Sequence, residues 1–146
     1  MITESITIKG NLDIVVLDEN HNVRETRSVK NLVVSSGKNY IANRMTSNAN
    51  VIMSHMAVGS GNTSPTASDV ALGSEITRIA LDSTTLTANT ITYVTTFGAG
   101  VGTGSLTEAG IFNNASAGTM LCRTRFDVVN KANSDIVVIT WNVTVG

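Results

Sequence analysis

One cysteine, one proline and few aromatic residues (4%) occur in this 146-residue chain, and only 14% of its residues are charged. Each scarcity excludes something. With Cys122 alone no internal disulfide can form, and its apolar setting, Met120-Leu121-Cys122, reads as a buried small hydrophobe. The net charge of -1 provides no field for phosphate backbones or anionic lipid, and aromatics at 4% cannot build a stacking platform for single strands, so neither nucleic acid nor membrane is expected as a partner. No apolar run approaches the roughly 20 residues needed to cross a bilayer. Met1-Ile2-Thr3-Glu4 has no basic segment leading into an apolar one, so no signal peptide is expected. The sequons at Asn62, Asn114 and Asn142 then read as products of composition.

What is abundant is Ser, Thr and Asn, about a third of the chain, together with Val and Ile. Side chains branched at the β-carbon suit a pleated, half-buried surface, which favours strands. The length suffices for one core without covalent staples. The expectation is an all-β fold, a jelly-roll-like antiparallel β-sandwich spanning 1–146 as one domain, with an N-terminal hairpin (1–34), a main body (35–146) and one short helix near 36–46.

Local patterns place the elements. Ile6–Ile8 and Leu12–Leu17 read as strands parted by Gly10-Asn11, and Asp18-Glu19-Asn20-His21-Asn22 as a turn. Val23 to Ser28 alternates as an exposed return strand whose edge is open to strand addition. Ser35 or Ser36 is placed to cap a helix whose Tyr40, Ile41, Arg44 and Met45 share one face. A weak helical turn is expected after Pro65, at Ser68-Asp69. Further strands are expected at His55–Val58, Ile76–Leu81, Thr85–Phe97, Glu108–Phe112, Thr119–Phe126 and Ile136–Val145. In the last, Val137, Ile139, Trp141, Val143 and Val145 line one face.

No constellation for chemistry assembles. His21 and His55 lack metal-ligand spacing, and Asp18, Glu19, Asn20 and Asn22 lack the glycine and final glutamate of a calcium loop. Gly59-x-Gly61 lacks the third glycine of a dinucleotide loop, and the 98–104 stretch lacks a phosphate-binding lysine. Both read as turns with glycine at positive φ. There is no Gly-x-Ser-x-Gly elbow and no His-Glu-x-x-His. The expectation is a non-enzyme with no catalytic, cofactor-binding or metal residues and no cofactor. Met53, His55 and Met56, and the loops at 59–66 and 98–105, are the candidate contact regions, with core filling the commoner role of methionine.

Several segments carry a resemblance: Asn31 to Met45, Met56-Ala57-Val58-Gly59-Ser60-Gly61-Asn62-Thr63, Asp69 to Arg78, Thr107-Glu108-Ala109-Gly110-Ile111-Phe112-Asn113, and Ile139-Thr140-Trp141. Over roughly residues 12 to 146 the chain resembles small structural proteins of tailed phages, described as tail-fibre-like or as capsid decoration proteins. The resemblance implies a virion protein made in the bacterial cytoplasm. The first expectation is a decoration, or cement, protein on the outer capsid surface. It would bind the major capsid protein and its own copies, as a trimer by analogy with capsid three-fold positions. The alternative is a tail or tail-fibre component, in one form a binder of host glycans, which would need an exposed aromatic platform. Trp141, on the apolar face of its strand, reads as core.

Overall fold

The computed structural model describes residues 2–47 and 50–146, so Met1, the first residue of the segment read for a leader, lies outside the described residues. Among the described residues there are ten strands and one helix. In chain order these are β1 (Ile8–Leu17), β2 (Val23–Lys30), β3 (Leu32–Val33), α1 (Ser35–Thr46), β4 (His55–Gly59), β5 (Glu75–Ala80), β6 (Ser83–Thr87), β7 (Thr90–Phe97), β8 (Gly104–Phe112), β9 (Met120–Lys131) and β10 (Ile136–Val145). They form two five-stranded antiparallel sheets, A in the order β2-β1-β10-β7-β6 and B in the order β3-β9-β8-β4-β5. The all-β sandwich with one short helix is what the alternation predicts. The hairpin β1–β2 is no appendage, because β1 pairs along its whole length with β10.

Period-two alternation builds the inner layer of sheet A. Leu12, Ile14 and Val16 stand opposite Trp141, Ile139 and Val137, and all six are buried in the main core with Tyr93 and Phe97. Each such side chain removed from water contributes on the order of 1.5–3 kcal/mol before chain entropy is subtracted. The outer face of the same strands is a ladder of uncharged polar pairs. Thr90 and Thr144 hydroxyls lie 3.0 Å apart, and Thr92 donates to Asn142 Oδ1 at 2.7 Å. That ladder accounts for much of the Thr and Asn content of β7 and β10.

Sheet B is buried on both faces. Met56, Val58, Ala109, Ile111 and Cys122 face sheet A, whereas Ala57, Phe112 and Met120 join Val34 and Leu72 in a second, smaller core on the far side. Leu72 belongs to the connection between β4 and β5, which folds back over sheet B.

Several boundaries differ from the sequence reading. β1 runs unbroken through Gly10, whose missing side chain leaves room for Asn31. A Cβ there would lie 1.9 Å from Asn31 Oδ1. The run Thr85–Phe97 is two strands, β6 and β7, reversed at Ala88-Asn89 with Ala88 at φ 52°. The segment after Pro65 makes a turn at 67–68 and no helix. The helix itself is present, but Val34 occupies the cap position and no side chain caps it. The Ser35 amide instead donates to the Ala67 carbonyl at 2.8 Å, and Ser36 Oγ donates to the Met120 carbonyl at 3.0 Å. The buried face is Gly37 and Tyr40, with Ile41 half-buried. Arg44 is exposed, and Met45 is 85% exposed.

Candidate docking surfaces and the buried clamp

A cluster of buried opposite charges lies on the outer face of sheet B, between β8, β9 and the β4–β5 connection. A register shift between Leu106 and Glu108 bends β8 where the acid enters. Glu108, fully buried, accepts hydrogen bonds from the amides of Gly61 (2.6 Å), Gly73 (2.7 Å) and Ser74 (2.7 Å). Arg123 donates to it through Nε (3.2 Å) and Nη2 (3.0 Å). The same guanidinium reaches Asp69 Oδ2 at 3.0 Å and the Thr63 carbonyl at 2.9 Å. Thr107 Oγ1 adds a bond to the Gly61 carbonyl at 2.6 Å, and Arg125 holds Asn62 Oδ1 at 2.8 Å.

Burial by itself would raise the Glu108 carboxyl. The Ser74 and Gly73 amides, the Arg123 guanidinium and the Gly61 amide outweigh it and hold the group below the usual carboxylate range. Asp69 is lowered in the same way, with the Thr66 amide and hydroxyl and then Arg123 overcoming desolvation. A carboxylate with five donors and no exposed surface is a clamp that fastens the 60–74 segment to sheet B. Gly59 and Gly61 serve this clamp and not a left-handed turn. Neither has positive φ, and a Cβ on Gly61 would lie 2.3 Å from Glu108 Oε2. Gly100, Gly102 and Gly104, by contrast, do have positive φ, as predicted for 98–104.

Sequence reasoning missed this cluster, although apart from Arg123 and Arg125 its residues lie within the segments that carried the resemblance: Gly59-Ser60-Gly61, Asp69, Gly73-Ser74 and Glu108. The available signal was an acid inside Leu106–Phe112 and an arginine inside Met120–Thr124. Opposite charges within two apolar runs imply a buried pair.

The other candidates separate clearly. Met53 and Met56 are core residues, and His55 is half-buried with Nδ1 2.7 Å from Ser54 Oγ. His21 is exposed in its turn at φ 64°, where Asp18 Oδ1 accepts from the amides of Asn20 (2.9 Å) and Asn22 (3.0 Å). The Asn22 amide is the main cause holding the Asp18 carboxyl low. Among the described residues no three His, Cys, Asp or Glu are grouped to hold a metal ion, and no helix is long and apolar enough to cross a membrane. The loop at 98–104 is tied down by the Gly100 amide on the Asn133 carbonyl (2.7 Å) and by Lys131 Nζ on the Gly98 carbonyl (2.9 Å). Cys122 is buried, and desolvation pushes its thiol well up.

Of three surface features, two remain open for docking. At the β2 edge, Arg24 and Arg27 fold across to β9, onto the Asn130 carbonyl (2.8 Å) and the Val128 carbonyl (2.9 Å), and close that side of the sandwich. At the opposite edge of sheet A, β6 (Ser83-Thr84-Thr85-Leu86-Thr87) is exposed throughout and carries no charge, proline or bulge. Between β1, β2 and β3 lies an open groove of about 810 Å³ whose rim includes Lys9, Lys30 and Lys38. The single Trp, both Tyr and all three Phe are buried, so no aromatic platform faces solvent.

A family model described as phage tail-collar fibre protein, N-terminal, matches residues 26–140. No curated protein and no solved structure matches the chain.

Proposed function

The chain belongs to the phage tail-collar fibre protein, N-terminal, family and is a structural component of the virion, and from that premise we propose that it is a tail or tail-fibre subunit acting through protein–protein contacts, without enzymatic activity. The observation that carries this reading is the family match across residues 26–140. It reverses the order of the two expectations drawn from the sequence, in which capsid decoration stood first and the tail second.

Physical features support a scaffold role. The buried charges Glu108 and Arg123 are consumed in holding one segment to the sheet, which stiffens the body. The polar face of sheet A is made of hydroxyls and amides, a surface suited to wet, hydrogen-bonded contacts. With every aromatic ring buried, glycan stacking has no platform, so the partners proposed are other virion proteins and further copies of this chain, the trimer being the expected closed ring.

Electron microscopy of intact particles with the chain labelled tests the placement. A few copies confined to the tail are expected. Hundreds spread over the head would overturn the tail reading in favour of a cement protein on the major capsid protein.

A further inference from the structure

The segment before β1 and the groove beside it are complementary. Ile2 and Ile6 are 94% and 77% exposed, and Ile2–Thr7 has no strand partner along its length. It leads into β1, whose last pair with β10 is Ile8 with Val145, and is anchored at its base by the Gly146 amide on the Thr7 carbonyl (2.7 Å). Its one charge is Glu4. The groove floor is apolar, with Val29, Leu32 and Val33, and Lys9, Lys30 and Lys38 stand on its rim with no ion-pair partner among the described residues. Asn31, also in the groove, has both side-chain amide atoms buried with no hydrogen-bond partner.

We propose that this groove receives residues 2–7 of a second copy of the chain, with Ile2 and Ile6 on the apolar floor and Glu4 among the three lysines. The occupant is a second copy because the segment cannot readily turn back. Its own groove begins at Ile8, so the chain would have to reverse within Ile2-Thr3-Glu4-Ser5-Ile6-Thr7, which holds no Gly, Pro, Asn or Asp and only the weaker turn formers Ser5, Thr3 and Thr7. Reaching a neighbour needs only extension, about 20 Å for six residues. Such a contact is head-to-tail, so it closes into a ring or runs on as a filament according to the rotation between copies. The inference goes beyond the tail assignment and is tested on the isolated chain, so the particle location can fail without affecting it.

The test is cross-linking and charge exchange in the full chain. A chain carrying Ile6→Cys is mixed with one carrying Leu32→Cys, both at exposed positions, while buried Cys122 stays silent. With oxidised glutathione as the oxidant, a disulfide-linked heterodimer is expected, formed at least about tenfold faster than with Leu86→Cys on the distant β6 edge. Glu4→Lys should weaken self-association roughly fivefold to tenfold, and combining it with Lys30→Glu and Lys38→Glu should restore it. The proposal is overturned by equal cross-linking to Leu86→Cys, by an internal disulfide in a monomer carrying both substitutions, by a chain that is monomeric at every concentration, or by self-association indifferent to Glu4→Lys. Binding of a foreign acidic peptide to this groove in preference to the chain's own segment would likewise overturn it.

Discussion

Glu108 Oε1 and Arg123 Nη2 lie 3.0 Å apart, with side-chain exposures of 0% and 2%, on the face of sheet B that points away from the main core. Their second set of bonds goes to Gly61, Thr63, Asp69, Gly73 and Ser74, so a single ion pair joins two neighbouring strands to the segment lying across them.

Removing one member should therefore cost more than removing both. Glu108→Ala leaves a buried guanidinium with only Asp69 and a carbonyl, and a loss of about 3–5 kcal/mol is expected. Replacing the pair together, Glu108→Leu with Arg123→Met, should cost distinctly less, because no charge is stranded. Denaturant unfolding followed by the fluorescence of buried Trp141 measures both. Equal losses would show that the ion pair is incidental to the fold.

The pH dependence has a definite sign. Glu108 and Asp69 both titrate below their usual values in the folded chain. Their stabilisation is thus present above the unfolded carboxylate pKa, about 4, and is lost as pH falls through the lower folded values. Stability should be level from neutral pH to about 5 and fall steadily below about 4. In Glu108→Gln the acid slope should shrink, while the loss at neutral pH remains. Unfolding midpoints across a pH series check this, and an unchanged slope in Glu108→Gln would remove Glu108 from the account.

Gly37 lets α1 approach the β9 backbone of sheet B closely. An added Cβ would lie 2.1 Å from the Leu121 carbonyl oxygen. Intrinsic propensity favours alanine over glycine in a helix by about 1 kcal/mol, whereas backbone overpacking costs about 1–3 kcal/mol. Gly37→Ala should therefore destabilise on balance, while Asn39→Ala, exposed on the same helix, should be neutral or slightly stabilising. Thermal unfolding of the two variants decides which effect wins.

The comparison between sequence and structure turns on particular residues. β10 was legible to the residue, because Val137, Ile139, Trp141 and Val143 repeat with the period of the pleat and all four are buried. The helix at 35–46 was legible in place but not in orientation. Its apolar spacing suggested Met45 on the buried face, whereas close backbone approach at Gly37 set the real contact one turn earlier. The break at Ala88-Asn89 lay inside one uninterrupted alternation, since both faces of the β6–β7 hairpin carry Thr and apolar residues alike.

Composition and alternation alone thus determined that this chain makes an antiparallel sandwich of largely uncharged surface, since each strand's buried face is written in its own residues. Tertiary structure decided that sheet B is covered twice and that Glu108 and Arg123 form a clamp. It also placed an apolar segment and a lysine-rimmed groove next to each other. Within the clamp those relationships join residues as far as 60 positions apart, as Thr63 and Arg123 are, and a local period contains no information about which distant segment will lie across it.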